Sequence, residues 1–172
     1  NHRTTEIVGL VLNGDLDLGI VRSDAVAPEL EVEPLATLSY ALIVPRSILP
    51  DKSATGIDRV KELPYVQLDS DGDFTRRMDQ LFAEHRLPAR EVGRVESYSL
   101  AIEMAKVMEA ATIVPKQAIK EFAADRFAAV ELEGIARLDR ELVVVSNKRT
   151  AQLNTRAKRA AIRLSRLFSR PF

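Results

Sequence analysis

The chain contains no cysteine, which removes disulfides, thiolate metal sites and a cysteine nucleophile from consideration. Histidine is almost as scarce. His2 and His85 are the only two, and their separation argues against a histidine-rich metal site. No phosphate loop, dinucleotide fingerprint or nucleophile elbow is present, and no acid–base pair stands out. No cofactor, no metal and no catalysis are therefore expected. No apolar run is long enough to cross a bilayer, and no basic-then-apolar leader opens the sequence. The expected location is cytoplasmic, with no membrane partner. Repeats and low-complexity tracts are also lacking.

Acidic charge is missing from one region. After Glu141 there is no Asp or Glu, while eight basic residues follow: Lys148, Arg149, Arg156, Lys158, Arg159, Arg163, Arg166 and Arg170. The residues before that tail carry 25 acidic against 17 basic side chains, although the whole chain is formally neutral. A basic tail can be a nucleic-acid patch. The plainer reading is the solvated face of a last helix, facing acidic surface nearby.

What the chain has is length and apolar content. Its 172 residues, 46% of them hydrophobic, permit one domain or two small lobes joined by a hinge. The most informative stretch is Leu12-Asn13-Gly14-Asp15-Leu16-Asp17-Leu18-Gly19-Ile20-Val21. Gly14 suits the left-handed residue that ends a helix over Thr5 to Asn13. Leu16, Leu18, Ile20 and Val21 then read as a short buried parallel strand. Ligands in open α/β sheets gather outside the carboxyl ends of such strands, which here points to Arg22 and Ser23.

The remaining pattern alternates helix and strand, an α/β signature with a largely parallel sheet. After a polar loop from Ser23 to Pro28, Leu38 to Val44 reads as a strand ended by Pro45. A short helix near Ile57 to Glu62 and a strand over Tyr65 to Leu68 come next. The second long helix covers Phe74 to His85, with Met78, Leu81 and Phe82 on one face. Arg90 to Glu96 alternates as a strand. Ser97 or Ser99 then caps a helix whose stripe of Leu100, Met104, Val107 and Met108 is expected in the core. Thr112 to Pro115, Ala128 to Leu132 and Glu141 to Ser146 read as strands, Lys116 to Ala124 as helical, and Asn154 to Phe168 as a final amphipathic helix.

These residues resemble a known family. The Gly-Asp-Leu-Asp-Leu-Gly-Ile-Val run is similar to the helix stop and strand of the effector-binding domain of LysR-type transcriptional regulators. Leu42-Ile43-Val44-Pro45, Ile113-Val114-Pro115 and Arg140 to Ser146 agree with the family in order and spacing. The resemblance implies a two-lobed, periplasmic-binding-protein-like (type 2) α/β fold with mixed sheets. The first lobe would comprise 1–44 and 142–172, the second 45–141. It also implies a small effector bound between the lobes, side-by-side homodimers or a higher homo-oligomer, and DNA contact only through a helix-turn-helix that this chain does not contain. A solute-binding fragment of a transporter shares the architecture and is the alternative.

The chain departs from the family pattern in two ways. The family domain opens with a strand, a helix and a second strand, and this sequence starts after them, so the first lobe is expected to be incomplete. Preceding residues or a partner chain would then cover its open face. The family's usual glycine pair before the Ile-Val-Pro strand is also missing from Met108-Glu109-Ala110-Ala111-Thr112.

Six residues are candidates for contact with an effector. Arg22 and Ser23 offer guanidinium and hydroxyl donors to an anion at a strand end, unless they are ordinary loop residues. Ser97, Tyr98 and Ser99 precede or open a helix whose free N–H groups favour a carboxylate; the alternative is ordinary N-capping by a serine, and the two are compatible. Gln67, in a strand, either lines the cleft or faces solvent. Thr75 is a candidate by position alone. Asp69, Asp71 and Asp73 suggest a calcium loop, but its twelfth position is Gln80 where glutamate is required, so a polar turn with Asp73 capping the next helix is expected. His85 reads as a helix-end or surface residue.

Overall fold

The structure, a computed structural model, describes residues 4–49, 57–58, 60–68, 72–151 and 159–164. The chain forms two compact units, Asn1–Leu38 with Arg140–Phe172, and Ser39–Asp139. The crossings therefore lie six residues before the expected 44/45, and two before 141/142. The reason is β3, Tyr40–Pro45, which pairs on both edges with strands of the second unit.

The first unit begins with α1, Thr4–Asn13, whose Val8 and Val11 face inward. Gly14 ends it at φ +83°, as its lack of Cβ allows. Carbonyls in the last turn of α1 find partners. Asp15 and Leu16 N–H groups donate to Leu10 O, and Asn147 Nδ2 donates to Leu12 O. A three-stranded sheet follows, ordered β1 (Gly19–Arg22), β8 (Arg140–Asn147), β2 (Leu30–Leu38).

Both pairings in this sheet are antiparallel, so the expectation of a buried parallel opening strand is corrected. The returning strand β8 inserts between β1 and β2 and imposes its own direction. Burial also alternates along β1: Val21 is buried, whereas Ile20 is 44% exposed and Leu16 lies outside the strand on the surface. One core of this unit gathers Val8, Val11, Val21, Leu30, Val143 and Val145. A second gathers Leu35, Val144 and Ala161, the last from helical residues 159–164. The rest of the final helix expected over Asn154 to Phe168 lies outside the described residues.

Strand β2 has no counterpart among the elements expected from sequence. It contains Pro34, and its register shifts between Pro34 and Ala36. Proline cannot donate to a ladder and is tolerated at sheet edges and bulges.

The second unit is mixed. Its antiparallel sheet runs β6 (Thr112–Pro115), β3, β7 (Phe127–Val130). Strand β4 (Leu63–Leu68) pairs in parallel with β5 (Ala89–Val95), and a parallel bridge from Tyr65 to Ala111 joins β4 to the β6 side. Helices α2 (Gly72–Glu84) and α3 (Tyr98–Met108) follow β4 and β5 in the chain. Met78, Leu81 and Phe82 of α2 are buried as expected.

On α3 the expected stripe is wrong. Leu100 and Val107 are 57% and 82% exposed, Met108 is exposed, and Met104 is only partly buried. The inward face is Ala101, Ile102 and Ala105. Small residues let the helix backbone lie close to the strands beneath it, and the larger side chains turn outward. Glu109 adopts φ +47°, the left-handed residue after α3. Ala110 and Ala111 follow it, fully buried. Among the described residues no helix is long and apolar enough to cross a membrane.

Candidate functional site

The strand directions of the second unit define an edge. Parallel β4 and β5 both end there, at Leu68 and Val95. Strand β6 joins β4 through a parallel bridge, so its carboxyl end lies on the same side. Antiparallel β3 starts there with Tyr40, opposite Pro115. Helices α2 and α3 begin just beyond β4 and β5. This is the edge at which ligands gather in open α/β sheets, with helix N-termini contributing free N–H groups.

Four of the six candidate residues fall at this edge. Gln67 is 4% exposed and donates from Nε2 to Leu68 O at 3.0 Å, so of its two expected placements the solvent-facing one is excluded. Ser97 is the N-cap of α3, with its hydroxyl accepting from Leu100 N at 3.3 Å. Ser99 lies exposed in the first turn. Tyr98 opens the helix, and its hydroxyl is 2.9 Å from that of Tyr40.

Two residues of this group escaped the sequence reading. Tyr40 is fully buried, and its ring contacts those of Phe74 and Tyr98 at centroid distances of 5.0 and 6.1 Å. The available signal was a tyrosine heading the apolar run Tyr-Ala-Leu-Ile-Val-Pro. A buried tyrosine needs a partner for its hydroxyl. Phe74 is the first buried residue of α2, two positions after the helix starts, where aromatic packing is not encoded by periodicity. Thr112, also fully buried, donates to Val66 O at 3.1 Å and so ties β6 to β4.

Charge at the start of α2 is organised by Asp73. It pairs with both Arg76 and Arg77, and these hydrogen bonds hold its carboxyl below the usual range. Asp73 lies in the first turn rather than at the cap. Thr75 is half-buried one residue beyond Phe74. Asp69 and Asp71 lie outside the described residues, and among those described no group of side chains has the makings of a metal site. His85 Nε2 hydrogen-bonds the Glu133 carbonyl at 2.8 Å. The nearby guanidinium of Arg137 holds Glu84 below the usual carboxylate range, and Glu84 in turn raises Arg137.

The other two candidates belong to the first unit. Arg22 ends β1 and pairs through Nε with Asp24 at 3.1 Å. Ser23 begins the 3-10 turn Ser23–Ala25 and donates to Glu141 Oε2 at 3.2 Å. Both are thus already engaged by carboxylates, with which an anionic ligand would compete.

A family model described as the LysR substrate binding domain matches residues 2–165. The chain belongs to this family. Solved structures of LysR regulators share its fold. HinK, a LysR family transcriptional regulator from Pseudomonas aeruginosa, aligns with a TM-score of 0.71 and 18% identity over 98% of this chain and 59% of that one. The effector binding domain of QuiR in complex with shikimate aligns at 0.64 and 18%, covering 99% of this chain and 80% of that one. The Synechocystis PCC6803 CcmR regulatory domain in complex with 2-PG aligns at 0.66 and 16%, over 97% and 80%. No curated protein matches.

The LysR match establishes the periplasmic-binding-protein-like (type 2) α/β fold with mixed sheets, and it favours the regulator over the transporter fragment. The chain spans less than two thirds of the HinK chain, 59% of it.

Proposed function

We propose that this LysR substrate binding domain is the ligand-sensing part of a cytoplasmic transcriptional regulator. It takes a small organic effector at the edge formed by β4, β5 and the starts of α2 and α3. The carrying observation is the convergence there of buried Gln67, the capped α3 N-terminus at Ser97 and the Tyr40–Tyr98 pair. Gln67 and Ser99 supply polar contacts, and Tyr98 supplies a ring face. The N-terminus of α3 favours an anionic effector such as a carboxylate.

The domain is not an enzyme. Effector binding acts by population shift, which requires unequal affinity for the alternative arrangements. It works as a homodimer or higher homo-oligomer, and DNA is bound by a helix-turn-helix elsewhere in the regulator.

A thermal-shift screen of small carboxylic acids, shikimate included, tests this reading, since a ligand of the folded state raises its stability. A stabilising acid should lose affinity in Gln67→Ala and Ser99→Ala, with Ser97→Asn largely retaining it because asparagine also caps. An acid whose affinity is untouched by the Gln67 and Ser99 variants would place the site elsewhere and defeat the proposal.

A further inference from the structure

Gln67 is 4% exposed, yet only one end of its amide is engaged, with Nε2 donating to Leu68 O at 3.0 Å. A carbonyl can only accept, so this bond turns Nε2 toward Leu68 O and Oε1 the other way. Among the described residues Oε1 accepts no hydrogen bond, and it is not sealed from the outside. We propose that, where an effector binds at this edge, Gln67 sets its chemical class: Oε1 selects a carboxylic acid that carries a hydroxyl over the same acid without one.

Position within the second unit is the first support. Gln67 is the penultimate residue of β4, and its amide reaches the carbonyl of the last. It therefore stands at the carboxyl end of the strand, where ligands gather. Its register partner in β5 is Arg94, and Ser97, the cap of α3, follows three residues later. Neighbouring strands lie about 5 Å apart. One small acid can thus place its carboxylate at the free N–H groups of α3 and a hydroxyl at Oε1.

The second support is that no described side chain supplies the missing donor. The Thr112 hydroxyl is spent on Val66 O at 3.1 Å, and the Tyr40 and Tyr98 hydroxyls meet each other. A buried acceptor without a partner is costly. An effector that brings a donor removes that cost, and one that lacks a donor does not. A hydroxyl fits better than an ammonium, whose burial requires several acceptors or a carboxylate. Asp73, in the first turn of α2, is already paired with Arg76 and Arg77.

Calorimetric titration with matched acids tests this: malate against succinate, lactate against propionate, and 3-hydroxybenzoate against benzoate. At least one hydroxy acid should bind the parent about tenfold more tightly than its partner. In Gln67→Leu the same two acids should bind about equally. Gln67→Met, close to glutamine in length, takes its place should Gln67→Leu fail to fold. A preference that survives in the folded Gln67 variant overturns the proposal, as does tighter binding of aspartate than of malate. An acid that loses affinity in Ser99→Ala, yet binds the parent no better than its partner without the hydroxyl, overturns the proposal and leaves the sensor reading standing. No saturable heat from any of these acids defeats the sensor reading itself, and the proposal with it.

Discussion

The hydroxyls of Tyr40 and Tyr98 meet at 2.9 Å, joining the first residue of β3 to the first residue of α3. A neutral hydrogen bond of this kind contributes about 0.5–1.5 kcal/mol net. Tyr40→Phe and Tyr98→Phe should each lower unfolding stability within that range. Residues sharing a bond couple, so the double variant should cost less than the sum of the singles by at least about 0.5 kcal/mol. Denaturant unfolding of the four proteins measures this cycle, and strict additivity would mean that the bond does not form.

The two faces of α3 yield a second prediction. Val107 is 82% exposed whereas Ala105 is fully buried. Val107→Glu should therefore change stability by less than about 0.5 kcal/mol, as surface substitutions do. Ala105→Leu forces a larger side chain into packed space and should cost about 1–3 kcal/mol. Urea midpoints distinguish these outcomes, and the stripe expected from sequence would invert them.

That inversion shows where the sequence is ambiguous. In Tyr-Ser-Leu-Ala-Ile-Glu-Met-Ala-Lys-Val-Met, apolar residues fall at helical spacing on two faces. Hydrophobicity favours Leu100, Met104 and Val107, but the sheet beneath has room for alanine. Periodicity identifies the helix and cannot choose the face without knowing that distance. The α2 face was legible because Met78, Leu81 and Phe82 have no apolar rival across the helix. Local chemistry was legible too: Gly14 as a helix stop and Ser97 as a cap follow from backbone and side-chain preferences alone. Strand direction was not. Whether β1 meets a parallel or an antiparallel neighbour depends on β8, which lies over a hundred residues later. The pairing of Tyr40 with Tyr98 was hidden for the same reason, since the two residues are 58 positions apart.

Acid should destabilise the domain partly through α2. Asp73 is held low by Arg76 and Arg77, and Glu84 by Arg137. A carboxyl whose folded pKa is depressed contributes stability that is present above its unfolded pKa, about 4. That contribution is lost as pH falls through the lower folded value. These pairs are exposed, so salt screens them. Arg137→Gln should flatten the fall of the urea midpoint between about pH 5 and pH 3 at low ionic strength. The difference from the parent should shrink in 1 M salt. An unaltered acid limb at low salt would remove Glu84 from the account.

The left-handed residues that close α1 and α3 call for opposite substitutions. Gly14 sits at φ +83° after α1, and Glu109 at φ +47° after α3. A Cβ in that conformation is strained, so Gly14→Ala should cost about 1 kcal/mol even though nothing lies within 4 Å of the added carbon. Glu109→Gly relieves the same strain but adds unfolded-chain entropy, worth about 0.4–1 kcal/mol. It also loses the exposed Glu109–Arg126 pair at 2.7 Å, which is worth little. The net should be a gain of about 0.5 kcal/mol, or a rise of about 1–2 °C in the thermal midpoint. A fall in that midpoint on Glu109→Gly would show that the ion pair outweighs the backbone strain at the end of α3.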